Sequence, residues 1–190
     1  MIGRIRNRIL FELGKLFSPQ MIGNYRNAEG KKLSKTRVSN TTYIGCKNKL
    51  NIADNVFIGH FNFIDACNGI TIKEGCQITN YISILTHSSH ISIRLYGKEY
   101  IKHNDLKGYV KGSVYIGEYT FIGPHSTIMP DTKIGKGCIV AAYSLVKGEF
   151  PDFAIIAGNP AKLEGDTRKM DAPFLDANSE LKNYYNQWAK

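Results

Sequence analysis

Long uninterrupted apolar stretches are missing from this chain, and with them the means to cross a membrane as a helix. The opening segment, residues 1–17, is broken by Arg4, Arg6, Arg8, Glu12 and Lys15, so neither a span nor a secretory leader is expected, and the chain is read as cytoplasmic. Cysteine is scarce as well. The four at positions 46, 67, 76 and 138 form no Cys-x-x-Cys pair, which removes the zinc-ribbon and thioredoxin-like patterns. They are read as small wall residues in a reducing compartment, with no disulfide and no zinc role. The compositional marks of disorder are absent too, and 43% hydrophobic content over 190 residues is enough for one ordinary core. Acids are outnumbered, 16 against 25 Lys and Arg, but the excess is local: residues 1–37 hold nine Lys or Arg against two Glu. Such an end attracts anions, whether a lipid surface, a phosphorylated ligand or an acidic glycan. No aromatic-and-basic module accompanies it, so nucleic acid is not expected as a partner.

What the chain does contain is a period. From Val114 to Phe150 a branched aliphatic returns every six residues, as Ile116, Ile122, Ile128, Ile134, Val140 and Val146. Four places after the first five stand small residues: Thr120, Ser126, Thr132, Cys138 and Ser144. Six residues fit no helix, but they fit a short strand plus a corner, with the aliphatic filling a coil and the small residue lying where the wall bends. Gly117, Gly123 and Gly135, each directly after an aliphatic, are expected to supply backbone freedom beside the bend. Ile52, Ile58 and Ile64 followed by Ile72, Ile78 and Ile84 make an earlier block, with Ile44 and Val38 beginning the coil before. There the repeat is three hexads plus two residues, and the extra pair is placed at Asn68-Gly69. Three hexads per turn predict a triangular parallel β-helix whose coils stack at about 4.8 Å.

Between the blocks, residues 86–113 carry three His, five Lys or Arg and three Tyr without any hexad, a length that in a compact domain signals function or disorder. Residues 1–37 read as an N-terminal helix and basic lead-in, 38–163 as the β-helix with the excursion 86–113, and 164–190 as a linker and C-terminal helix. Ile2, Ile5, Ile9, Leu13, Leu16 and Phe17 mark one face of the first helix. A lid over open strands is preferred for it, with membrane-surface contact as the weaker reading. Leu181, Tyr184, Tyr185 and Trp188 mark a packing helix at the other end, after a linker over 164–175.

The hexads, the Leu85-Thr86-His87 just before the excursion, and the ending Ala157-Gly158-Asn159-Pro160-Ala161-Lys162 together resemble the left-handed β-helix acyltransferases. The branch is that of galactoside, maltose and capsule or O-antigen O-acetyltransferases, and the resemblance spans roughly residues 38–163. It implies an all-β fold: a left-handed parallel β-helix of hexapeptide repeats with short terminal helices and one long excursion loop. It also implies a homotrimer with active sites between subunits, acetyl-CoA as co-substrate in the groove between neighbouring prisms, and no metal. Carried over by position, His87 matches the general base and His90 does not. Ala142 falls beside the pantetheine arm, and Lys147 and Lys162 fall near the CoA end, where lysine offers a point charge without the arginine fork. Relatives often have Asn where His60 stands, so His60 or Asn62 would meet the acceptor, and Pro124 replaces a small polar residue found near CoA in some of them.

The activity so implied is acetyl-CoA-dependent O-acetylation of a saccharide hydroxyl, on a surface glycan or its precursor. A neutral imidazole takes the hydroxyl proton, backbone N–H groups hold the oxyanion and the CoA thiolate leaves. An acid of the excursion, Glu99 or Asp105, or a backbone carbonyl could orient His87. Alternatives are N-acetylation of an amino sugar, often nucleotide-linked, acetylation of an antibiotic, and a non-catalytic hexapeptide scaffold. Zinc-dependent hydration on this fold needs three metal-binding His, and His87, His90 and His125 do not resemble that spacing.

Overall fold

The computed structural model describes residues 2–190, with side chains from Arg4 onward. Its body is a prism of short parallel strands on three faces. Face one stacks Arg37–Ser39, Phe57–Ile58, Gln77–Ile78, Phe121–Ile122, Ile139–Val140 and Ala154–Gly158. Face two stacks Tyr43–Gly45, Phe63–Asp65, Ser83–Ile84, Thr127–Ile128 and Leu145–Val146. Face three stacks Leu50–Ile52, Ile70–Ile72, Val114–Ile116, Thr132–Ile134 and Glu149–Phe150.

The register sets like on like: Ile58 on Ile78 on Ile122 on Val140 on Ile156, and Ile44 on Ile64 on Ile84 on Ile128 on Val146. These aliphatics form one continuous core, and most are fully buried. Each contributes about 1.5–3 kcal/mol relative to exposure. The small residues four places on are buried at the corners. They are polar because the bend leaves carbonyls to satisfy: Thr120 Oγ1 donates to Gly135 O at 2.9 Å and Ser126 Oγ to Ala141 O at 2.9 Å. Cys138 fills the same role, its Sγ lying 3.2 Å from Pro151 O.

The glycines act differently from expectation. Gly117, Gly123 and Gly135 do not take positive φ; that falls two residues later, at Tyr119, His125 and Gly137. Glycine is needed because coils touch there. A Cβ on Gly123 would lie 2.6 Å from Ala142 N, a distance no side chain tolerates.

The ends also differ. The helix Ile2–Leu16 is exposed from Arg4 onward and is no lid. The open coil is covered instead by Met21–Ile22, antiparallel to Arg37–Ser39, and by the hairpin of Tyr25–Arg26 and Lys32–Leu33, which buries Leu33. The expected linker is ordered: Ala161–Asp166 is a strand folded back on Ala154–Gly158, and Thr167–Ala177 is a helix whose N-cap, Asp166, accepts from Arg168 N at 2.9 Å. Ser179–Tyr185 is helical, and Trp188 packs on Tyr119 and Phe153 along the side of the prism. Among the described residues no helix is long and apolar enough to cross a membrane.

Candidate active site

The corner between faces two and three is irregular. From Ile44 to Ile52 and from Ile64 to Ile72 it holds two residues more than a hexad, and on the third coil the chain leaves altogether between Ile84 and Val114. The departing segment is ordered. His87–Ser88 pairs antiparallel with Val110–Lys111, and Ser92–Tyr96 and Gly97–Lys102 fold as short helices between them.

His87 stands at the root of this excursion, and the group facing it is an acid of the coil below. Asp65, buried at the end of its strand, places Oδ2 2.6 Å from His87 Nδ1. A carboxylate at that distance requires the proton on Nδ1, which leaves Nε2 with a free lone pair. Asp65 is itself fixed: Oδ2 accepts from Thr86 Oγ1 at 3.1 Å, and Oδ1 from Cys67 N at 3.2 Å. Thr86 is fully buried, its Oγ1 accepting from Asn68 N at 3.0 Å. A face of the imidazole stacks on Tyr109 from the returning arm, with ring centroids 5.7 Å apart. Burial raises the Tyr109 phenol above its usual range, which keeps it neutral beside the dyad. Beyond Tyr109 a polar cavity of about 400 Å³ opens between His103, Asn104, Asp105, Leu106 and Lys111. Glu99 and Asp105, the excursion acids, are engaged by Lys102 and Lys107 in the solvent. His90 is exposed and bonded to Ser88 Oγ at 2.8 Å, so it does not join the dyad.

The cysteines require a correction. Cys46 and Cys67 are joined as a disulfide, at a Cα–Cα distance of 5.0 Å, because the extra residues at this corner bring neighbouring coils' thiols together. Cys46, Asp65 and Cys67 form the one close group of metal-binding residue types among the described residues, and the disulfide and the bond to His87 already occupy them. Cys76 and Cys138 are free and buried, and burial pushes their thiols up to about 12 and about 11.

The remaining candidates lie elsewhere. Ala142 is exposed on the corner between faces one and two, and the bonds Ala141 N to Ile156 O and Tyr143 N to Pro124 O flank it. Lys162 is exposed on the strand that folds back, opposite Ala157 at the top of face one. Lys147 is exposed on His87's own corner, in the last complete coil. His60 is on the first corner, with Nδ1 2.7 Å from Ser39 Oγ. Asn62 is not available to a ligand. It is 3% exposed, donates to Gly59 O and Thr79 O, and accepts from Ile82 N, so its amide closes the corner. Phe61, Tyr81, His125 and Tyr143 stack up this corner, ring on ring at 4.8–5.2 Å, all at positive φ. His125 is thus a member of an aromatic stack, away from His87.

Residues 113–148 match the family profile of the bacterial transferase hexapeptide, six repeats. A Mycobacterium tuberculosis protein provisionally named an acetyltransferase is 28% identical over 69% of this chain and 44% of its own length. An Escherichia coli protein provisionally named a lipopolysaccharide biosynthesis O-acetyl transferase is 31% identical over 58% of this chain and 57% of its own. The chain therefore spans about half the length of these curated relatives. A galactoside acetyltransferase solved with coenzyme A superposes with a TM-score of 0.58 at 21% identity, covering 69% of this chain and 62% of that one. Residues 113–148 thus carry the hexapeptide repeat on a three-faced prism of stacked coils, and the relatives and the structural neighbour just named are acetyltransferases by name.

Proposed function

We propose that this protein is an acetyl-CoA-dependent O-acetyltransferase that acts on a saccharide hydroxyl, with His87 as general base. The observation that carries the reading is the Asp65–His87 pair, 2.6 Å apart at the root of the excursion, with Nε2 unused. A hydroxyl is a poor nucleophile at neutral pH, and a positioned imidazole removes its proton as the C–O bond forms. The oxygen attacks the thioester carbon, the tetrahedral intermediate collapses, and CoA leaves as thiolate while the acetyl ester remains on the acceptor. Asp65 stabilises the imidazolium that forms in between. A hydroxyl-rich acceptor suits the polar cavity beside Tyr109, and His60 remains the candidate at the first corner.

CoA is proposed to run past Ala142 towards Lys147 and Lys162. Ala142 and Lys162 lie at one edge of face two and His87 at the other, so the complete site is proposed to join edges of two subunits in a homotrimer of left-handed prisms. The exposed aromatics Tyr43, Phe63 and Tyr143 on and beside that face give such a contact apolar area. The compartment that supplies acetyl-CoA is the cytoplasm. The Cys46–Cys67 bond weighs against that placement, since disulfides persist mainly in oxidising compartments.

The test is incubation with acetyl-CoA and a panel of sugars, amino sugars and oligosaccharides, with mass spectrometry of the products. An acetyl ester with wild type and a loss of about 10²–10⁴-fold with His87→Ala supports the reading. An acetamide places the activity with the N-acetyltransferases, and no product from any acceptor favours the scaffold.

A further inference from the structure

The amphipathic helix Ile2–Leu16 has lost its expected task, because the hairpin of Tyr25–Arg26 and Lys32–Leu33 already covers the open coil. What remains is an unpartnered apolar stripe. Ile5, Ile9, Leu13 and Leu16 recur along one side of the helix and are 48–67% exposed, and Phe17, just past its end, is 84% exposed. A single helix of this length has little stability in water, and a stripe of this kind needs a partner.

Charge decides which partner. Arg4, Arg8 and Lys15 fall on the side away from the stripe, and Arg6 stands within reach of its edge. The helix's one acid, Glu12, is neutralised by Lys15 at 2.9 Å. Arg26, Lys31, Lys32, Lys35 and Arg37 follow on the hairpin and lead-in that come next in the chain, so residues 1–37 carry nine basic side chains against two acidic ones. Packing the stripe against the same segment of a second copy would bring two such charges together. An anionic bilayer surface satisfies both features, with apolar side chains in the acyl boundary and arginines at the headgroups.

We infer that residues 2–17 form an interfacial helix that docks the protein on an anionic lipid surface, with the basic hairpin that follows in the chain adding to the attraction. This goes beyond the acetyl-transfer reading and does not depend on it. The test is sedimentation of the full-length protein with vesicles of phosphatidylcholine containing phosphatidylglycerol, against phosphatidylcholine alone. Retention on the anionic vesicles is expected, weakening with added salt. Arg4→Ala and Arg8→Ala should each lower it by roughly fivefold. Ile9→Asp should abolish it while leaving the melting temperature and the rate on a soluble acceptor unchanged. Equal retention on both vesicles, or none on either, overturns the inference. So does an Ile9→Asp chain that still sediments but changes its oligomeric mass, which would assign the stripe to a second copy.

Discussion

Replacing Asp65 by Asn tests the dyad more sharply than removing the base. The two side chains are nearly isosteric, but Asp65 uses Oδ1 for Cys67 N and Oδ2 for both Thr86 Oγ1 and His87, and an amide has only one oxygen to offer. What changes is the atom facing His87 Nδ1 at 2.6 Å. If the amide oxygen keeps the backbone donor Cys67 N, the NH₂ group takes the place of Oδ2 and faces the ring, and the Thr86 hydroxyl turns to accept from it. Nδ1 must then accept, the proton moves to Nε2, and the lone pair that should take the hydroxyl proton is gone. The imidazolium also loses its counter-charge. Inverting a catalytic tautomer in this way costs up to about 10⁴-fold in related dyads, and loss of a general base costs about 10²–10⁴-fold, so a fall of roughly 3–5 kcal/mol in transition-state stabilisation is expected. It should appear in kcat, because proton removal is needed only in the transition state, with KM for acetyl-CoA nearly unchanged. The assay is the appearance of the free CoA thiol at saturating acetyl-CoA, with thermal melting run in parallel. An Asp65→Asn protein that melts like wild type and turns over within a few-fold of it would refute the assignment of both residues.

Three further outcomes follow from the coil and its corners. Lys162→Ala should raise KM for acetyl-CoA by about 5- to 30-fold, the loss of one charge-assisted phosphate contact worth about 1–2 kcal/mol, with a smaller change in kcat; equal KM values would place the phosphates elsewhere. In the folded protein Cys76 and Cys138 should resist a thiol reagent at neutral pH, since their thiols are pushed up to about 12 and about 11; the stability this gives is fully present below the unfolded thiol's range and is lost as pH rises through those values. A dithiol reductant should expose two reactive thiols, Cys46 and Cys67, and lower stability by about 3 kcal/mol for a loop of this length, which melting with and without reductant measures.

The aliphatic ladder was legible because its determinants are periodic and local: a branched residue every six positions can be stacked by counting, and the register of Ile64 on Ile84 on Ile128 follows from the chain alone. The site was legible only in part, since its partners come from different coils. His87 is marked by standing where the repeat stops, but the group that orients it is neither a backbone carbonyl nor one of the excursion acids Glu99 and Asp105, which lie near it in sequence and pair with lysines in solvent. Asp65 is 22 positions back. It ends its strand at the corner that holds two extra residues, and its carboxylate reaches His87 and Thr86 of the next coil. The same surplus brings Cys46 to Cys67, a pairing that spacing rules for isolated cysteines do not anticipate. The interruption that obscured this corner was therefore a signal in its own right. A repeat that spends two additional residues at one corner on successive turns, and then leaves the helix from that corner, marks the place where the wall stops being scaffold.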